Sequence, residues 1–476
     1  MMSTRRLWLF LAIALPVLAS LAADLPSVDL AYHLRAGAEI LATRTIPTVD
    51  TYTFTAAGEP WFDQNWAAQV ILSLVHEVAG WSGLAVLRAA LVGLTFGSVL
   101  AACRRGGADD RAAALLTIGA FVATSFTLAL RPQLFGIALF GVLVLITTLR
   151  GTHPRLLWLA VPLIAVWANV HGSVALGIAW LVLAWIADVG RRATPRYRVL
   201  VVAVVAALAA TANPAGLGLW RYAAGIATSS TITNRITEWQ PPDLHSVEGL
   251  VFFGSALAVA AFLARRSRPA PWPVLLTLAA FFVVAALAVR GLAWWPIVAA
   301  VTVAGLLGDV ATPARTLRTD PPLAQRVNLV LAAVLVLVGV ALVPVWRPVD
   351  RGLGTPAGLV GVAAPGITAR LREIATRDDR LFAPQPWGSW FEYAVPVAPV
   401  FVDSRIELFR PEIWDEYDVV VDGGDGWADI LRSRGVTIVV AADRIGRVPL
   451  ASRLERDAAW HAVYADADGT IFVRDR

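Results

Sequence analysis

Gln133-Leu-Phe-Gly-Ile-Ala-Leu-Phe-Gly-Val-Leu-Val-Leu-Ile-Thr-Thr-Leu149 carries no charged side chain between Arg131 and Arg150. As a helix rising about 1.5 Å per residue, such a run nearly crosses a hydrocarbon core of about 30 Å. Comparable runs recur at about 7–23, 83–102, 112–130, 156–170, 173–189, 198–212, 248–264, 272–289, 292–309 and 327–345, giving about eleven spans in all. The runs at 156–170 and 198–212 are short and are expected to kink, tilt less or partly re-enter. Composition agrees, because 57% hydrophobic and 16% charged residues, with a mean hydropathy of +0.65, lie outside the range of soluble globular proteins. The expected fold class is a polytopic α-helical membrane protein with a C-terminal soluble α/β domain.

Arginine placement orients the bundle. Arg5 and Arg6, Arg104 and Arg105, Arg191 and Arg192, Arg265 and Arg266, and Arg315 and Arg318 fall in alternate loops, which are therefore cytoplasmic. The inner segments hold about seventeen arginines against about six in the short outer ones. This places the N-terminus in the cytoplasm of a bacterium, the spans in its plasma (inner) membrane, and long segments at 24–82, at 213–247 and after about 346 outside. The first run, with Arg5 and Arg6 before it and small residues near Ala22 after it, also imitates a secretory signal peptide; it is read here as a span. The expected domains are 1–345, transmembrane with the two long outer loops, and 346–476, extracytoplasmic. A single cysteine, Cys103, excludes an internal disulfide. The basic residues form short clusters between apolar runs, a pattern of topology that argues against nucleic acid as a partner.

The loop at 24–82 is far longer than a connector needs, and long loops are where sites tend to be built. Asp29 and His33 are four apart and share a helical face, with Tyr32 beside them, while Leu30, Leu34 and Leu41 are available for packing. An acid and an imidazole facing one cavity is one reading; Asp29 capping the helix, with His33 bonded to it, is the other. Further on, Gly58-Glu59-Pro60-Trp61-Phe62-Asp63-Gln64-Asn65-Trp66 leads into an amphipathic stretch at 66–78 suited to the membrane interface. Asn169 and His171 stand at the outer end of the fifth span, where polar side chains are costly unless they face the bundle or a wet cavity.

In order, Asp29, Tyr32, Ala36, Ile46-Pro47, Gly58-Glu59-Pro60 and Asn65-Trp66 resemble the first external loop of the GT-C superfamily, the membrane glycosyltransferases that use polyprenyl-phosphate sugars. Across most of its length the chain also resembles a group of bacterial multipass proteins carrying the motifs that here are Asp29–Gly37, Arg131–Phe135, Trp167–Ser173 and Glu238–Pro242, with Trp387-Gly388-Ser389 and Val402-Asp403-Ser404-Arg405 in the tail. The resemblance implies a GT-C-like fold and transfer of a sugar from a polyprenyl-phosphate carrier to an envelope glycan or protein, with inversion. It implies Asp29 as the catalytic base assisted by His33, and Tyr32, Arg35, Asp50, Arg131, Asn169, His171, Glu238 and Arg290 as substrate-binding residues. Arg35, Arg131 and Arg290 would grip phosphate oxygens, though arginines at helix ends also snorkel to headgroups. Many of the transferases carry Asp-Glu at the acidic position, whereas Leu30 follows Asp29 here. No cofactor is therefore expected, and a divalent metal stays an open alternative.

The chain has no Gly-x-Ser-x-Gly elbow, no phosphate-cradling Gly-Lys loop and no His-Glu-x-x-His pair. A transporter of lipid or glycan, which typically shows repeated halves with broken helices, and a non-catalytic scaffold are the alternative classes. In the tail, a helix is expected at 364–376, strands near 380–383, 399–402 and 436–441, and a hairpin of 461–465 and 470–474 around Asp468-Gly469. Asp403 and Arg405 sit just after a strand, where α/β sheets tend to place ligand contacts, and a structural ion pair is the safer of the two readings.

Overall fold

A computed structural model of the chain describes residues 1–25, 28–192, 197–228, 233, 235–308, 320–361, 363–442 and 449–475. Arg315 and Arg318, counted above with the cytoplasmic arginines, lie outside the described residues. The molecule divides into two compact units, one of Met1–Ala23 with Ala85–Trp346, the other of Asp24–Leu84 with Arg347–Arg476. The loop at 24–82, grouped above with the transmembrane domain, thus folds with the tail.

In the first unit every apolar run carries a helix. They are Thr4–Ala22, the later part of Trp66–Gly106, Asp110–Thr124, Pro132–Thr148, Ala160–Val170, Val174–Gly190, Arg198–Ala209, Val247–Ala264, Trp272–Leu287, Trp295–Gly308 and Pro322–Leu342. Local sequence sets their starts. Ser3 accepts from the Arg6 N–H, Asp109 from those of Arg111 and Ala112, and Ser246 from that of Gly249, each satisfying first-turn donors. Pro132 begins its helix at the position where a missing N–H costs nothing. Among the described residues, six helical segments are long and apolar enough to cross a membrane, at 4–22, 66–106, 132–151, 247–264, 289–308 and 322–342; 154–170, 174–190, 198–209 and 272–287 are apolar but shorter. Leu257, Leu337 and Leu208 are 71%, 67% and 64% exposed on these helices. Such uncovered apolar faces are those that lipid solvates, so this is a membrane protein.

Aromatic packing organises the interior of this unit. The Phe140 ring meets Trp294 at 5.3 Å, Phe281 at 5.6 Å, Trp180 at 5.7 Å and Trp167 at 6.2 Å between centroids. Trp167 and Trp294 stack at 6.0 Å with 26° between planes. Pairs of this kind contribute roughly 0.5–1.5 kcal/mol beyond area burial. Here they fix the ends of two helices that carry polar residues.

The second unit begins with helix Val28–Thr43 and takes in the start of Trp66–Gly106, which breaks at Gly80, where φ is 59° and ψ is −158°. That left-handed φ suits glycine, and the break separates the stretch at 66–78 from the span that follows. Gly37 lets the two helices touch: a Cβ there would stand 2.1 Å from the Gln69 carbonyl oxygen. The tail's strands are β1 (Val349–Asp350), β2 (Thr355–Pro356), β3 (Leu381–Phe382), β4 (Ile438–Ala442), β5 (Trp460–Ala465) and β6 (Gly469–Arg474). β1 and β2 pair with each other, and the rest form a sheet in the order β3-β4-β6-β5. β3 and β4 run parallel, whereas β6 is antiparallel to both β4 and β5. Helices Pro365–Ile374, Gln385–Ala394, Pro411–Val421 and Trp427–Ser433 lie between strands in sequence.

The segment at 399–402 is not a regular strand, as the sequence led us to expect, but an extended link between two partners. Val400 bridges Leu381 of β3 on one side and Thr53 of the first loop on the other. The Phe54 N–H donates to Val400 O at 3.1 Å, and the Val400 N–H to Tyr52 O at 3.3 Å. Ala56 and Phe54 join Phe382, Phe401, Val439 and Phe472 in one apolar core. Each fully buried side chain of this size contributes roughly 1.5–3 kcal/mol, which explains why the loop folds on the tail's sheet.

Candidate functional site

The polar residues singled out along the sequence fall into two groups, one within each unit. In the first unit Arg131 precedes Pro132 in extended conformation, with φ −153° and ψ 170°, as a residue before proline prefers. Its Nη2 lies 2.7 Å from Glu238 Oε1. Arg290, in the short turn Val289–Ala293, donates from Nε to Glu238 Oε2 at 2.9 Å, and its guanidinium lies 5.2 Å from the centroid of the Trp239 ring. The Val289 N–H donates to Gln240 O at 2.9 Å and ties the two segments together. One carboxylate is thus gripped from two sides. Burial pushes the Glu238 carboxyl up, but the two guanidiniums outweigh it and hold it below the usual glutamate range.

His171 closes the helix Ala160–Val170 in extended conformation. Its Nδ1 accepts the Ser173 N–H at 3.1 Å and lies 2.7 Å from Ser173 Oγ, which also accepts from Trp167 Nε1 at 3.1 Å. A Cβ on Gly136 would stand 2.7 Å from that Oγ, so glycine lets helix Pro132–Thr148 approach the turn. Burial, then Arg290 and Arg131, pushes the His171 pKa down to about 3, which keeps the ring neutral. With a neutral histidine, the two arginines and Glu238 leave this group one net positive charge, a balance that suits an anion. Asn169 donates to Ala165 O and Ala212 O, both at 2.8 Å, and fastens the helix end to the start of the second long loop.

In the second unit Asp29 stands in the first turn of helix Val28–Thr43, half-buried, with Tyr32 and His33 buried behind it. The Tyr32 and His33 ring centroids are 4.0 Å apart. Burial raises the Tyr32 phenol well above its ordinary value, and the negative charge of Asp29 adds to it. Arg35 donates from Nη1 to Glu392 O at 2.9 Å and lies 4.1 Å from the Tyr52 ring centroid, while Tyr52 donates its hydroxyl to Glu39 at 2.6 Å. Asp50 is 1% exposed and accepts from the N–H groups of Tyr52 and Thr53, from the Thr53 hydroxyl at 2.6 Å and from Arg405 Nη2 at 2.6 Å. These are the contacts of a buried anchor.

Arg405 is the hub of this unit, beyond the simple ion pair read from the sequence. It is 1% exposed, donates from Nε to Asp403 at 2.9 Å, and lies 4.5 Å from the Trp61 and 4.8 Å from the Tyr52 ring centroid. Glu392 Oε1 is 3.8 Å from its Nη2. Burial and the neighbouring Asp403 raise the Glu392 pKa well above the usual range, so Glu392 keeps its proton. At Asp403 burial acts upward, but Arg405 overrides it and holds the carboxyl low. The sequence reading missed Glu392, Asp63 and Gln69, since no spacing rule links them to residues far away in the chain. Among the described residues, no group of three or more His, Cys, Asp or Glu is placed to hold a metal ion.

Comparison with known proteins addresses the fold. No family model and no curated protein matches the chain. Archaeal oligosaccharyltransferase AglB from Archaeoglobus fulgidus, solved with an inhibitory peptide and a dolichol-phosphate, superposes with a TM-score of 0.60 over 98% of this chain and 74% of that one, at 13% identity. The likeness is one of fold: at this identity it speaks for architecture, and the chemistry is argued from the residues.

Proposed function

We propose that the chain is a GT-C membrane glycosyltransferase that takes a sugar from a polyprenyl-phosphate carrier and transfers it to a hydroxyl of an envelope glycan or protein. The observation that carries this reading is the convergence of Arg131 and Arg290 on the single carboxylate of Glu238. Two guanidiniums held on one oxyanion at an outer helix end are what a departing phosphate requires, because planar N–H pairs match phosphate oxygens and their charge offsets the charge that develops. The fold supports the same class of donor, since an oligosaccharyltransferase of similar fold was solved in complex with a dolichol-phosphate.

In this reading the chain crosses a bacterial inner membrane about eleven times, with the N-terminus inside and the tail outside. Asp29 removes the proton from the acceptor hydroxyl as its oxygen attacks the anomeric carbon. The bond to the carrier phosphate breaks with inversion, and the phosphate leaves as the anion. His33 and Tyr32 line the acid's surroundings, and neutral His171 stands beside the arginines as a hydrogen-bonding partner that adds no charge. Arg35 and Asp50 order helix Val28–Thr43 and the loop after it.

Equilibrium binding of polyprenyl phosphate to the purified chain in nanodiscs tests the phosphate site. Replacing a forked donor by a point charge in Arg131→Lys or Arg290→Lys should weaken binding about tenfold, the loss of roughly one charge-assisted hydrogen bond. Wild-type affinity in both variants would mean that these arginines serve the headgroup region only.

A further inference from the structure

Inside the second unit, His33, Gln69 and Asp63 form a hydrogen-bonded chain that neither the phosphate site nor the Arg405 hub explains. They are 2%, 0% and 5% exposed. Gln69 Nε2 lies 2.8 Å from Asp63 Oδ1 and 3.2 Å from His33 Nδ1. An amide nitrogen offers two N–H groups and accepts nothing, so one N–H goes to the carboxylate and the other to the imidazole. A ring nitrogen that accepts carries no proton, which leaves the proton of the neutral ring on Nε2.

We propose that Gln69 and Asp63 are positioning residues that hold His33 as the neutral Nε2–H tautomer, with Asp63 fixing the orientation of the Gln69 amide. Orientation is the crux, because the side-chain amide touches both partners. Turned over, it would set its oxygen against Asp63 Oδ1 and His33 Nδ1. That arrangement holds only if Asp63 is protonated and His33 carries its proton on Nδ1. Backbone packing restricts the alternatives: with no side chain on Gly37, helix Val28–Thr43 lies against the Gln69 carbonyl and sets the distance from His33 to Gln69. Burial pushes the Asp63 carboxyl up to about 7, against the pull of Gln69, the Asn65 N–H and Arg405, and with a further push from Glu407. Its charge, and with it the amide orientation, therefore responds to pH near neutrality. The consequence for transfer rests on the function proposed above, in which His33 works beside Asp29: a fixed Nε2–H makes the ring a donor toward its surroundings.

Nitrogen NMR of the full chain in nanodiscs, labelled with 15N-histidine, reads the tautomer directly. The chain has six histidines, and His33→Gln identifies the His33 signals by their loss. At pH 8, above the shifted range of Asp63, wild-type His33 should show an unprotonated Nδ1 and a protonated Nε2. Gln69→Glu offers the ring only an acceptor and should move the proton to Nδ1. Asp63→Asn keeps an acceptor for the amide, so it should preserve the tautomer and abolish the pH response near neutrality. A wild-type ring protonated on Nδ1 at pH 8 would overturn the proposal, and so would a Gln69→Glu tautomer equal to that of wild type. If Gln69→Glu does not fold, the wild-type spectrum alone decides. No donor or acceptor is needed, so an inactive chain with the expected tautomer would contradict the transferase reading and leave this one standing. In active protein, Gln69→Glu should lower kcat while leaving KM for the donor lipid unchanged.

Discussion

Arg405→Leu removes the buried cation shared by Asp403 and Asp50 while keeping much of the apolar stem. Asp403 loses its Nε bond of 2.9 Å and Asp50 its Nη2 bond of 2.6 Å, and both carboxylates remain fully buried. Removing one partner of a buried pair costs about 3–5 kcal/mol, and losing the stack on Trp61 and Tyr52 adds roughly 1 kcal/mol. The sum, about 4–6 kcal/mol, is a large part of the stability of a typical domain, and it falls on the contact that joins the first loop to the tail. Proteolysis of the folded chain in nanodiscs measures this, because cleavage within 44–62 follows the local opening equilibrium. At 1.4 kcal/mol per decade, the variant should be cut roughly a thousandfold to ten-thousandfold faster. The pH dependence supplies a second reading. In the wild type, the lowered Asp403 pKa contributes stability that is present above the ordinary aspartate value and is lost as pH falls through the folded one. Without Arg405, burial is left to raise the Asp403 carboxyl, so its contribution is present at low pH and lost as pH rises. The variant should therefore gain more stability than the wild type between pH 7 and pH 5. Cleavage within about threefold of wild type, with an unchanged pH profile, would refute the view that Arg405 clamps the loop.

Three further outcomes follow from the same structure. Gly37→Ala places a Cβ against the Gln69 carbonyl and should destabilise the second unit by about 1–3 kcal/mol, read as faster proteolysis; an unchanged rate would mean that the helices part freely. Glu238→Gln keeps the shape of the bridge but removes its charge, so polyprenyl phosphate should bind several-fold more tightly; unchanged or weaker binding would show that Glu238 does not compete with phosphate. Reporters fused after Arg105, Arg192 and Arg266 should report the cytoplasm, and those after Asp50, Pro242 and Arg476 the exterior; an inactive alkaline phosphatase at Arg476 despite good expression would overturn the odd span count.

The apolar helices were legible because a helix in lipid satisfies its own backbone, so a single local quantity, the length of an apolar run, marks them. Arg131, His171 and Arg290 stood out in sequence as polar residues at helix ends and Glu238 as part of a motif in the second long loop, and the structure brings all four into one unit. Two of them meet Glu238 directly. The folding of the first loop onto the tail was not legible. It depends on Asp50 meeting Arg405 and on Thr53 bridging Val400, contacts made across hundreds of residues with no periodicity to betray them. Asp63 appeared only as one member of a turn before Trp66. Its role depends on Gln69 and His33 approaching from two helices, which a spacing of four residues between Asp29 and His33 does not reveal.

Transfer by purified, folded Asp29→Asn protein beside the wild type, with radiolabelled sugar on polyprenyl phosphate and released carrier phosphate counted, bears most directly on the proposed chemistry. Asparagine keeps the size of the side chain and removes its basicity. The account predicts that the wild type releases one carrier phosphate per sugar moved, and that Asp29→Asn binds donor normally but turns over at least about a hundredfold more slowly, the lower end of general-base effects. Turnover by Asp29→Asn within a few-fold of wild type would remove Asp29 from the mechanism, and absence of transfer by the wild type across a panel of polyprenyl-phosphate sugars would contradict the transferase reading itself.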